Sequence, residues 1–343
     1  MAFQPSVILF PFFDLDLFSI LFIMNVAIVS FNDCSLFAIT GIVSLLNNAN
    51  RFYHGEENKR FNVILLSTNE TTTVNCSYDM PLTCHDTIFT YDKIPDFVIV
   101  PGIENNIAGR INNLKSVCEW INNMYSHHST IIGSCTGNFI LAQAGLLNGK
   151  TATTHWQTAD LFNQLYPHIT LCDEKILIDH GQILMGGGTL SFQNLMVYLV
   201  EKQMGRETAI ALSKFMLLDM NKDPQSAYAV FSGQKTHGDD AILKAQKMIE
   251  DQLSQKWTIE ILAPKVSISV RHFNRRFKTA TGQTPAEYIR RVKVEAARHF
   301  LETSQLTFEE IVQEVGYEDS GSFRKLFTNL VGITPIQYRH KYN

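Results

Sequence analysis

The sequence predicts two domains, an α/β domain with a flavodoxin-like, mostly parallel sheet and an all-α double helix-turn-helix domain behind it. Its length of 343 residues exceeds what one hydrophobic core usually supports. Short β-rich runs alternate with helical stretches after Met24, whereas only helical patterns follow Ala241. With 45% hydrophobic and 18% charged residues, the composition excludes a disordered chain.

Residues 1–23 fit neither domain. They are rich in Phe, Leu and Ile but carry Asp14 and Asp16 and no basic residue. A secretory signal needs a positive amino-terminal region, and a membrane span needs about 20 apolar residues without such charges. Because a strand-like run begins at Asn25, we interpret residues 1–23 as a non-native or disordered leader. A genuine amphipathic extension is the alternative.

Residues 24–218 are predicted to form the α/β domain. Continuously apolar runs indicate strands that are buried on both faces, at residues 26–31, 61–68, 97–100 and 130–133. Helices are expected at residues 36–48, 108–125, 137–147 and 191–204. The polar segment 219–240 contains Pro224 and Gly233 and is typical of an interdomain linker.

Charge separates the two ends of the chain. Residues 241–343 contain 16 lysines and arginines against 11 acidic residues, whereas residues 1–240 contain 13 against 22. A basic end on an acidic body indicates a nucleic-acid partner for that end. The six cysteines form no C-x-x-C pair, so we expect reduced cytoplasmic thiols, no metal and no cofactor.

Residues 241–343, the predicted helical domain, contain an internal repeat with a period of 50 residues. The first copy has Glu260, Ile261, Phe273, Phe277, Gly282, Thr284, Pro285 and Tyr288. The second copy has Glu310, Ile311, Phe323, Phe327, Gly332, Thr334, Pro335 and Tyr338. A repeat of this length indicates two copies of one supersecondary unit.

The first copy predicts a short helix over residues 258–264, a turn, and a second helix over residues 270–278 that the Ser269 hydroxyl caps. Three residues share one face and are expected to be buried: Val270, Phe273 and Phe277. The opposite face carries Arg271, Asn274, Arg275 and Lys278. Arginine and asparagine read base edges and further cations hold phosphates, so this face is typical of a recognition helix. A merely solvated basic face is the alternative, which the repeat disfavours.

The second copy predicts a support helix over residues 307–315 and a second helix over residues 321–330, capped by Asp319 or Ser320. Phe323 and Phe327 are expected to pack inward. The exposed polar residues are Ser322, Arg324 and Lys325. Between the copies, an i+4 apolar stripe predicts a linker helix that starts at Pro285: Tyr288, Val292, Ala296 and Phe300.

Residues 269–288 (SVRHFNRRFKTATGQTPAEY) and 311–339 (IVQEVGYEDSGSFRKLFTNLVGITPIQYR) resemble the two signature halves of the AraC family of bacterial transcription regulators. The match covers roughly residues 240–340. The resemblance implies a monomeric unit whose two recognition helices enter successive major grooves of double-stranded DNA, about 34 Å apart. It also implies RNA polymerase as a partner and a role as an activator.

The run G-S-C-T-G at residues 133–137 lies between a predicted strand and a predicted helix. This is the layout of a nucleophile elbow, in which small neighbours permit a strained turn at the central residue, here Cys135. The following helix N-terminus is expected to lower the pKa of Cys135. A small buried hydrophobic residue is the alternative interpretation of this cysteine.

Residues 24–215 resemble the amidotransferase-like superfamily of the ThiJ/PfpI type. The strongest matches are the end of the predicted strand at residues 98–102 and the stretch 135–156, which begins with CTG and ends with ATTHW. The pattern is similar to that of isocyanide hydratases and of the sensor domains of GlxA-type AraC regulators. The resemblance implies Cys135 as the family nucleophile, Gly102 and Thr136 near the oxyanion site, and His155 as the neighbouring histidine. With Cys34 at its mouth, this crevice is the expected ligand pocket.

One position departs from that family. The enzymes place an acid in a D-L-x-G motif after the first strand, whereas residues 38–41 read A-I-T-G here. Ala38 therefore replaces the carboxylate, and general acid–base help of about 10²–10⁴-fold is lost. We therefore expect no enzyme activity. Asp33, five residues earlier, is the candidate substitute for the missing acid.

Three functions are compatible with these patterns. The first is a ligand-responsive transcription regulator, for which the resemblance implies an amino or quaternary-ammonium effector, dimers through the amino-terminal domain and no membrane contact. The second is a cysteine-dependent hydrolase or hydratase with a vestigial DNA-binding tail. The third is a redox sensor that uses Cys135. The intact repeat and Ala38 favour the first.

Overall fold

The computed structural model describes residues 22–55, 59–219 and 224–343. The strands are β1 (Phe22–Ser30), β2 (Lys59–Ser67), β3 (Thr73–Asn75), β4 (Pro81–Thr83), β5 (Asp86–Thr87), β6 (Phe97–Val100), β7 (Thr130–Ser134), β8 (Thr151–Ala152), β9 (Thr170–Leu171), β10 (Leu177–Asp179) and β11 (Ile183–Gly186). The helices are α1 (Leu36–Phe52), α2 (Ile107–Ile111), α3 (Lys115–Ser126), α4 (Asn138–Gln143), α5 (Ala159–Leu165), α6 (Ser191–Met204), α7 (Arg206–Met216), α8 (Asp240–Asp251), α9 (Ile259–Lys265), α10 (Val270–Thr281), α11 (Pro285–Thr303), α12 (Phe308–Glu314), α13 (Ser320–Val331) and α14 (Pro335–Tyr342).

Seven strands form the main sheet in the order β10-β11-β7-β6-β1-β2-β5. β1 pairs in parallel with both β2 and β6, whereas β10 and β11 form an antiparallel hairpin. Four successive residues of β1, Val26 to Val29, are fully buried, as expected for a strand covered on both faces. The run β2-β1-β6-β7 has the 2-1-3-4 order of flavodoxin-like sheets, so the predicted fold class is confirmed.

The first strand starts earlier than the sequence pattern predicts. β1 begins at Phe22, and its parallel pairing with β2 joins Phe22 to Lys59 and Ile23 to Arg60. The side chains of Phe22 and Ile23 are 58% and 47% exposed, so no burial pattern marks them as part of the strand. The predicted leader, residues 1–23, therefore overlaps β1 by two residues, and residues 1–21 lie outside the described part of the chain.

Two predicted helices differ in extent. The helix expected over residues 108–125 is divided into α2 and α3, because Asn112 and Asn113 are poor helix formers and complete a turn instead. The helix expected after the elbow ends at Gln143, and Gly145 follows with a φ of 78°. α6 has the predicted bounds. None of the helices in the described ranges is long and apolar enough to cross a membrane.

The described residues divide into two compact units. The first comprises residues 22–55, 59–132, 181–183 and 195–219, and the second comprises residues 133–180, 184–194 and 224–343. The second unit contains the elbow motif and all of the helical repeat. The boundary thus differs from the predicted linker at residues 219–240, part of which is buried in the second unit: Gln225 is 3% exposed and Ala227 is fully buried.

Each copy of the repeat builds its own hydrophobic cluster. Phe273 and Phe277 are fully buried in the first cluster, and Phe323 and Phe327 are fully buried in the second. α11 contributes to both clusters, with Tyr288, Ile289 and Val292 in the first and Val294, Ala297 and Leu301 in the second. α11 is therefore the predicted linker helix between the two copies of the repeat.

The Gly-x-Thr-Pro-x-x-Tyr motif closes each recognition helix by the same mechanism. Gly282 and Gly332 end α10 and α13 in the left-handed conformation, with φ of 76° and 83°, which glycine adopts without a Cβ penalty. The following threonine forms a capping box at the start of α11 or α14, with proline at the first helical position. The tyrosine hydroxyl then donates to a carboxylate, Tyr288 to Glu250 and Tyr338 to Glu302.

Candidate DNA interface and sensor site

The turn after β7 has the strained geometry that the elbow motif predicts. Cys135 adopts a φ of 56°, in the left-handed region that a side chain disfavours. Gly133 is required beside it, because a Cβ there would collide with the side chain of Asn138. Asn138 is fully buried, and its amide donates to the carbonyls of Thr153 at 2.8 Å and Gly186 at 3.0 Å. These bonds fix the turn against two neighbouring segments.

The segment that carries His155 lies beside the elbow. The hydroxyl of Thr154 donates to the carbonyl oxygen of Cys135 at 3.3 Å. His155 is half-buried, and its Nδ1 accepts from the backbone N–H of Gln157 at 3.2 Å. The neutral ring therefore carries its proton on Nε2. Thr136, the other expected site residue of this group, is 6% exposed.

Cys34 and Gly102, the remaining expected pocket residues, come together in the first unit. Cys34 forms an isolated β-bridge with Ile103, and the N–H of Ser35 donates to the Gly102 carbonyl at 2.9 Å. The Cys34 side chain is completely buried, and its thiol donates to Cys76. A role of these residues in ligand binding stays a prediction.

Ala38, at the position of the family acid, and Asp33, the candidate substitute acid, both lie in the first unit. Ala38 is buried in the first turn of α1, where its N–H donates to the Ser35 hydroxyl at 3.4 Å. Asp33, the candidate substitute, forms an ion pair with Arg110. The backbone of Asp33 is also held, since its N–H donates to Asn75 and its carbonyl accepts from Glu104.

α10 presents an exposed basic face. Its buried residues are Phe273, Phe277 and Thr281, on the side packed against the first hydrophobic cluster. The four predicted contact residues are all exposed: Arg271, Asn274, Arg275 and Lys278. Arg276, on the same helix, is instead held by a bidentate ion pair to Asp239, the N-cap of α8, at 2.7 and 2.9 Å. This pair fixes α10 to α8 and leaves the predicted contact residues facing solvent.

Two predicted details at the start of α10 are wrong. Ser269 occupies the N-cap position, but its hydroxyl makes no capping hydrogen bond, and only its carbonyl accepts, from Phe273 at 2.8 Å. Val270, expected to be buried, is 41% exposed because the first residue of the helix extends beyond the cluster built by Phe273 and Phe277. The helix end therefore projects into solvent, with the exposed Ser269 at its tip.

α13 presents a similar but more constrained face. Asp319 is its N-cap and accepts from the N–H groups of Gly321 and Ser322, which settles the choice between Asp319 and Ser320. A hydrogen bond from the Ser322 side chain, together with these backbone bonds, holds the pKa of the Asp319 carboxyl below its usual range. Ser322, Arg324 and Lys325 are exposed as predicted. Arg324 contacts Glu309 at 3.3 Å and lies over the ring of Phe308.

Sequence reasoning missed a partly buried segment, residues 224–229, that contacts several parts of the second unit. The amide nitrogen of Gln225 lies within 2.8–3.0 Å of the carbonyl oxygens of Thr154, Asp173 and Lys175. A Cβ on Gly187 would collide with this amide. Nothing in the polar composition of the segment distinguishes Gln225 from an exposed linker residue.

The same segment is bonded to the second copy of the repeat. The hydroxyl of Ser226 donates to the carbonyl of Val331 at 2.9 Å, at the end of α13. The buried Arg298 of α11 donates to the carbonyls of Ser226 and Ala229 and to the hydroxyl of Tyr338. Residues 224–229 therefore contact both the Thr154 segment beside the elbow and the end of the second recognition helix.

Two family models match the chain. The model of the DJ-1/PfpI family matches residues 24–201, and the model of a helix-turn-helix domain matches residues 262–341.

Several bacterial regulators are similar in sequence. The HTH-type transcriptional regulator CdhR of Pseudomonas aeruginosa is 25% identical, over 65% of this chain and 67% of its own. The HTH-type regulators GbdR of Pseudomonas aeruginosa and GlxA of Rhizobium meliloti are each 24% identical; the matches cover 60% and 61% of this chain, and 56% and 64% of theirs. The matched region thus spans less than two thirds of GbdR and of GlxA.

Two solved structures share the fold of the α/β domain. A protein described as a transcriptional regulator from Vibrio parahaemolyticus superposes with a TM-score of 0.51 at 21% identity, over 56% of this chain and 98% of that one. A ThiJ/PfpI family protein from Pseudomonas syringae superposes with a TM-score of 0.50 at 14% identity, over 71% and 95%.

Proposed function

Because the chain belongs to the DJ-1/PfpI family through residues 24–201 and joins that domain to an AraC-type helix-turn-helix domain, we propose that it is a sequence-specific transcription regulator. The observation that carries this proposal is the repeated exposed basic face, on α10 and again 50 residues later on α13. Relatives with the same pair of domains are named as HTH-type regulators, which supports it.

We propose that both faces bind double-stranded DNA in successive major grooves. On α10, Arg271 and Asn274 read base edges while Arg275 and Lys278 hold phosphates. Ser269, whose hydroxyl makes no cap, binds a phosphate at the exposed helix tip. On α13, the contacts come from Ser322, Arg324 and Lys325. RNA polymerase as a partner, activation rather than repression, homodimers and a cytoplasmic location are parts of the same proposal.

Selection of binding sites from random DNA with the full chain, followed by footprinting, tests the DNA-binding proposal. We expect two protected major-groove segments on one face of the duplex, one helical turn apart, for each protomer. The variant Lys247→Ala, on the exposed face of α8, is the matched control and should leave the footprint unchanged. Protection of a single groove would assign DNA reading to one helix only, and the absence of any selected sequence would remove the proposal.

The elbow region, residues 133–137 with His155, is the proposed sensor. A small nitrogenous effector bound beside Cys135 could act on Thr154, whose hydroxyl is bonded to the Cys135 carbonyl and whose own carbonyl is bonded to Gln225. Ser226, the neighbour of Gln225 in the chain, donates a hydrogen bond to the carbonyl of Val331 at the end of α13. This series of bonds is the route by which we propose that effector binding changes DNA affinity.

A thermal-shift screen of the full chain against amines and quaternary ammonium compounds tests the sensor, since a bound ligand raises the melting temperature by mass action. A compound that binds at the elbow should lose its effect in Cys135→Trp, which fills the space, and keep most of it in Cys135→Ser, which is nearly isosteric. Equal shifts in wild type and Cys135→Trp would place the ligand elsewhere.

Gln225→Ala tests the route. We expect it to keep the thermal shift of the effector and to lose the effector-dependent change in DNA affinity. Gln313→Ala, an exposed glutamine of α12, is the matched control. An unchanged response in Gln225→Ala would exclude this residue from signal transmission.

An enzyme is the second candidate, and the elbow geometry at Cys135 is the observation that favours it. Against it, Ala38 stands at the acid position and Asp33 is paired with Arg110. Turnover of an isocyanide, an amide or an α-oxoaldehyde by the wild-type protein, lost in Cys135→Ser, would establish catalysis, because serine without a base is a far poorer nucleophile. We expect no such turnover.

A further inference from the structure

Two cysteines outside the elbow region face each other in the first unit. The Sγ atoms of Cys34 and Cys76 lie 3.6 Å apart, and the two residues are 0% and 1% exposed. Backbone hydrogen bonds hold the two segments on either side of this pair, from Asp33 to the Asn75 carbonyl at 2.8 Å and from Ser77 to the Cys34 carbonyl at 2.9 Å. The sulfur atoms are therefore kept together by the backbone.

The two thiols differ in acidity. Cys34 donates its S–H to Cys76, and this bond, together with burial, raises the pKa of Cys34. The same bond lowers the pKa of Cys76, because it stabilises the thiolate that accepts it. The pair thus places a thiol of lowered pKa in contact with a thiol of raised pKa, and of the two sulfur atoms Cys76 is the one more readily deprotonated.

The turn that follows Cys76 is exposed beyond Ser77. Residues 77–80 follow Cys76 directly, and within them Tyr78 is 82% exposed and Met80 is 52% exposed. Tyr78 and Asp79 both adopt a left-handed conformation, with φ of 60° and 56°.

A metal site is a weaker interpretation of these cysteines. Cys84, 5% exposed, is a third thiol in this region, and burial together with the charge of Cys76 raises its pKa. Among the described residues, however, no group of three or more cysteine, histidine or acidic side chains has the geometry to hold a metal ion. Two sulfur atoms in contact without such a third ligand favour redox chemistry.

We propose that Cys34 and Cys76 are a redox-sensitive site that hydrogen peroxide converts to a reversible intramolecular disulfide. The Cys76 thiolate attacks one peroxide oxygen, which gives a sulfenic acid and hydroxide. The Cys34 thiol then attacks the sulfenic sulfur, the S–O bond breaks, and water leaves with the thiol proton and the hydroxyl group. In total, two thiols lose two electrons and two protons, and one peroxide becomes two waters. The sulfur atoms approach by about 1.5 Å to reach the bonded distance of about 2.05 Å.

The test is peptide mapping of the full chain after treatment with hydrogen peroxide and alkylation of the remaining thiols. Combined cleavage by trypsin and Asp-N endoproteinase separates the three neighbouring cysteines into peptides 33–51, 61–78 and 79–85. We expect a peptide pair 33–51/61–78 joined by a disulfide, four alkylated cysteines instead of six, and complete reversal by dithiothreitol.

Serine variants distinguish this site from the elbow. Cys34→Ser and Cys76→Ser should each abolish the linked peptides, whereas Cys84→Ser and Cys135→Ser should form them as the wild type does. Six alkylated cysteines in the oxidised wild type would overturn the proposal, as would linkage of peptide 79–85 to either partner. Because the wild-type protein alone gives these readings, the result does not depend on the folding of any variant.

Discussion

The two copies of the helix-turn-helix share their core but differ in how their recognition helices are constrained. α10 ends at Gly282 in open space, and the side chains of its four predicted contact residues form no ion pair or hydrogen bond with the described part of the chain. α13 ends at Gly332 against Pro224, and its Arg324 is held by Glu309. If the proposed function is correct, this difference predicts that the first copy supplies most of the DNA affinity and that the second receives the signal.

The largest effect expected from this comparison concerns stability. Gly332→Ala should destabilise the protein by about 2–5 kcal/mol, the sum of about 1–2 for a left-handed alanine and about 1–3 for the collision with Pro224. Gly282→Ala, with the same backbone strain but no close neighbour, should cost only about 1–2 kcal/mol. Denaturant unfolding of both variants measures the difference. Equal losses would mean that Pro224 does not constrain the second copy.

The next effect concerns DNA affinity. Loss of a bidentate arginine–base contact costs about 1–3 kcal/mol, so Arg271→Ala should weaken binding to a selected site by roughly 5–150-fold. Arg324→Ala should weaken it less, because Arg324 must first leave Glu309. Fluorescence anisotropy at one fixed salt concentration compares the two variants. A larger loss for Arg324→Ala would reverse the proposed division between the copies.

A smaller effect separates phosphate contacts from base contacts. Lys278→Ala should lower affinity for all sequences alike and reduce the slope of log affinity against log salt by about one unit. Lys325→Ala on α13, at the position of Arg275 in the repeat, should give a similar slope change if both helices bind together. Titrations over a range of salt concentrations supply the slopes, and an unchanged slope for Lys325→Ala would leave α13 without a phosphate contact.

The smallest expected effect is a pH-dependent change at the start of α13 that the start of α10 does not share. The pKa of the Asp319 carboxyl is lower in the folded protein than in the unfolded chain. The stability that its cap contributes is therefore fully present above the ordinary aspartate pKa, and it is lost as the pH falls through the lower pKa of the folded state. The amide resonance of Ser322 should therefore shift on acidification, whereas α10, which has no carboxylate cap, should show no matching transition at Arg271. Asp319→Asn, which caps without titrating, should remove the transition in Ser322.

Local patterns in the sequence predicted much of this structure. Helical periodicity marked the buried phenylalanines of both recognition helices, and the small residues around Cys135 marked its strained turn. Val270 and the Ser269 hydroxyl were misassigned, since periodicity does not show where a helix extends beyond its neighbours.

Contacts between residues distant in sequence were not accessible in this way. The Cys34–Cys76 contact joins residues 42 apart, and the Gln225 contacts join residues about 50 to 70 apart. No local pattern encodes either of them, because each depends on how separate segments meet. The same limit explains why a polar stretch that looked like a linker contains a buried glutamine.

The parallel placement of β1 between β2 and β6 has a consequence for the order of folding. β1 and β6 can form hydrogen bonds only after Val26 and Phe97, which are about 70 residues apart in sequence, have come together. Closing such a long loop slows folding. The helices of residues 240–343 mostly contact their near neighbours in sequence. On a ribosome, the amino-terminal segment emerges first, yet the helical repeat made last is expected to need the least time to reach its native contacts.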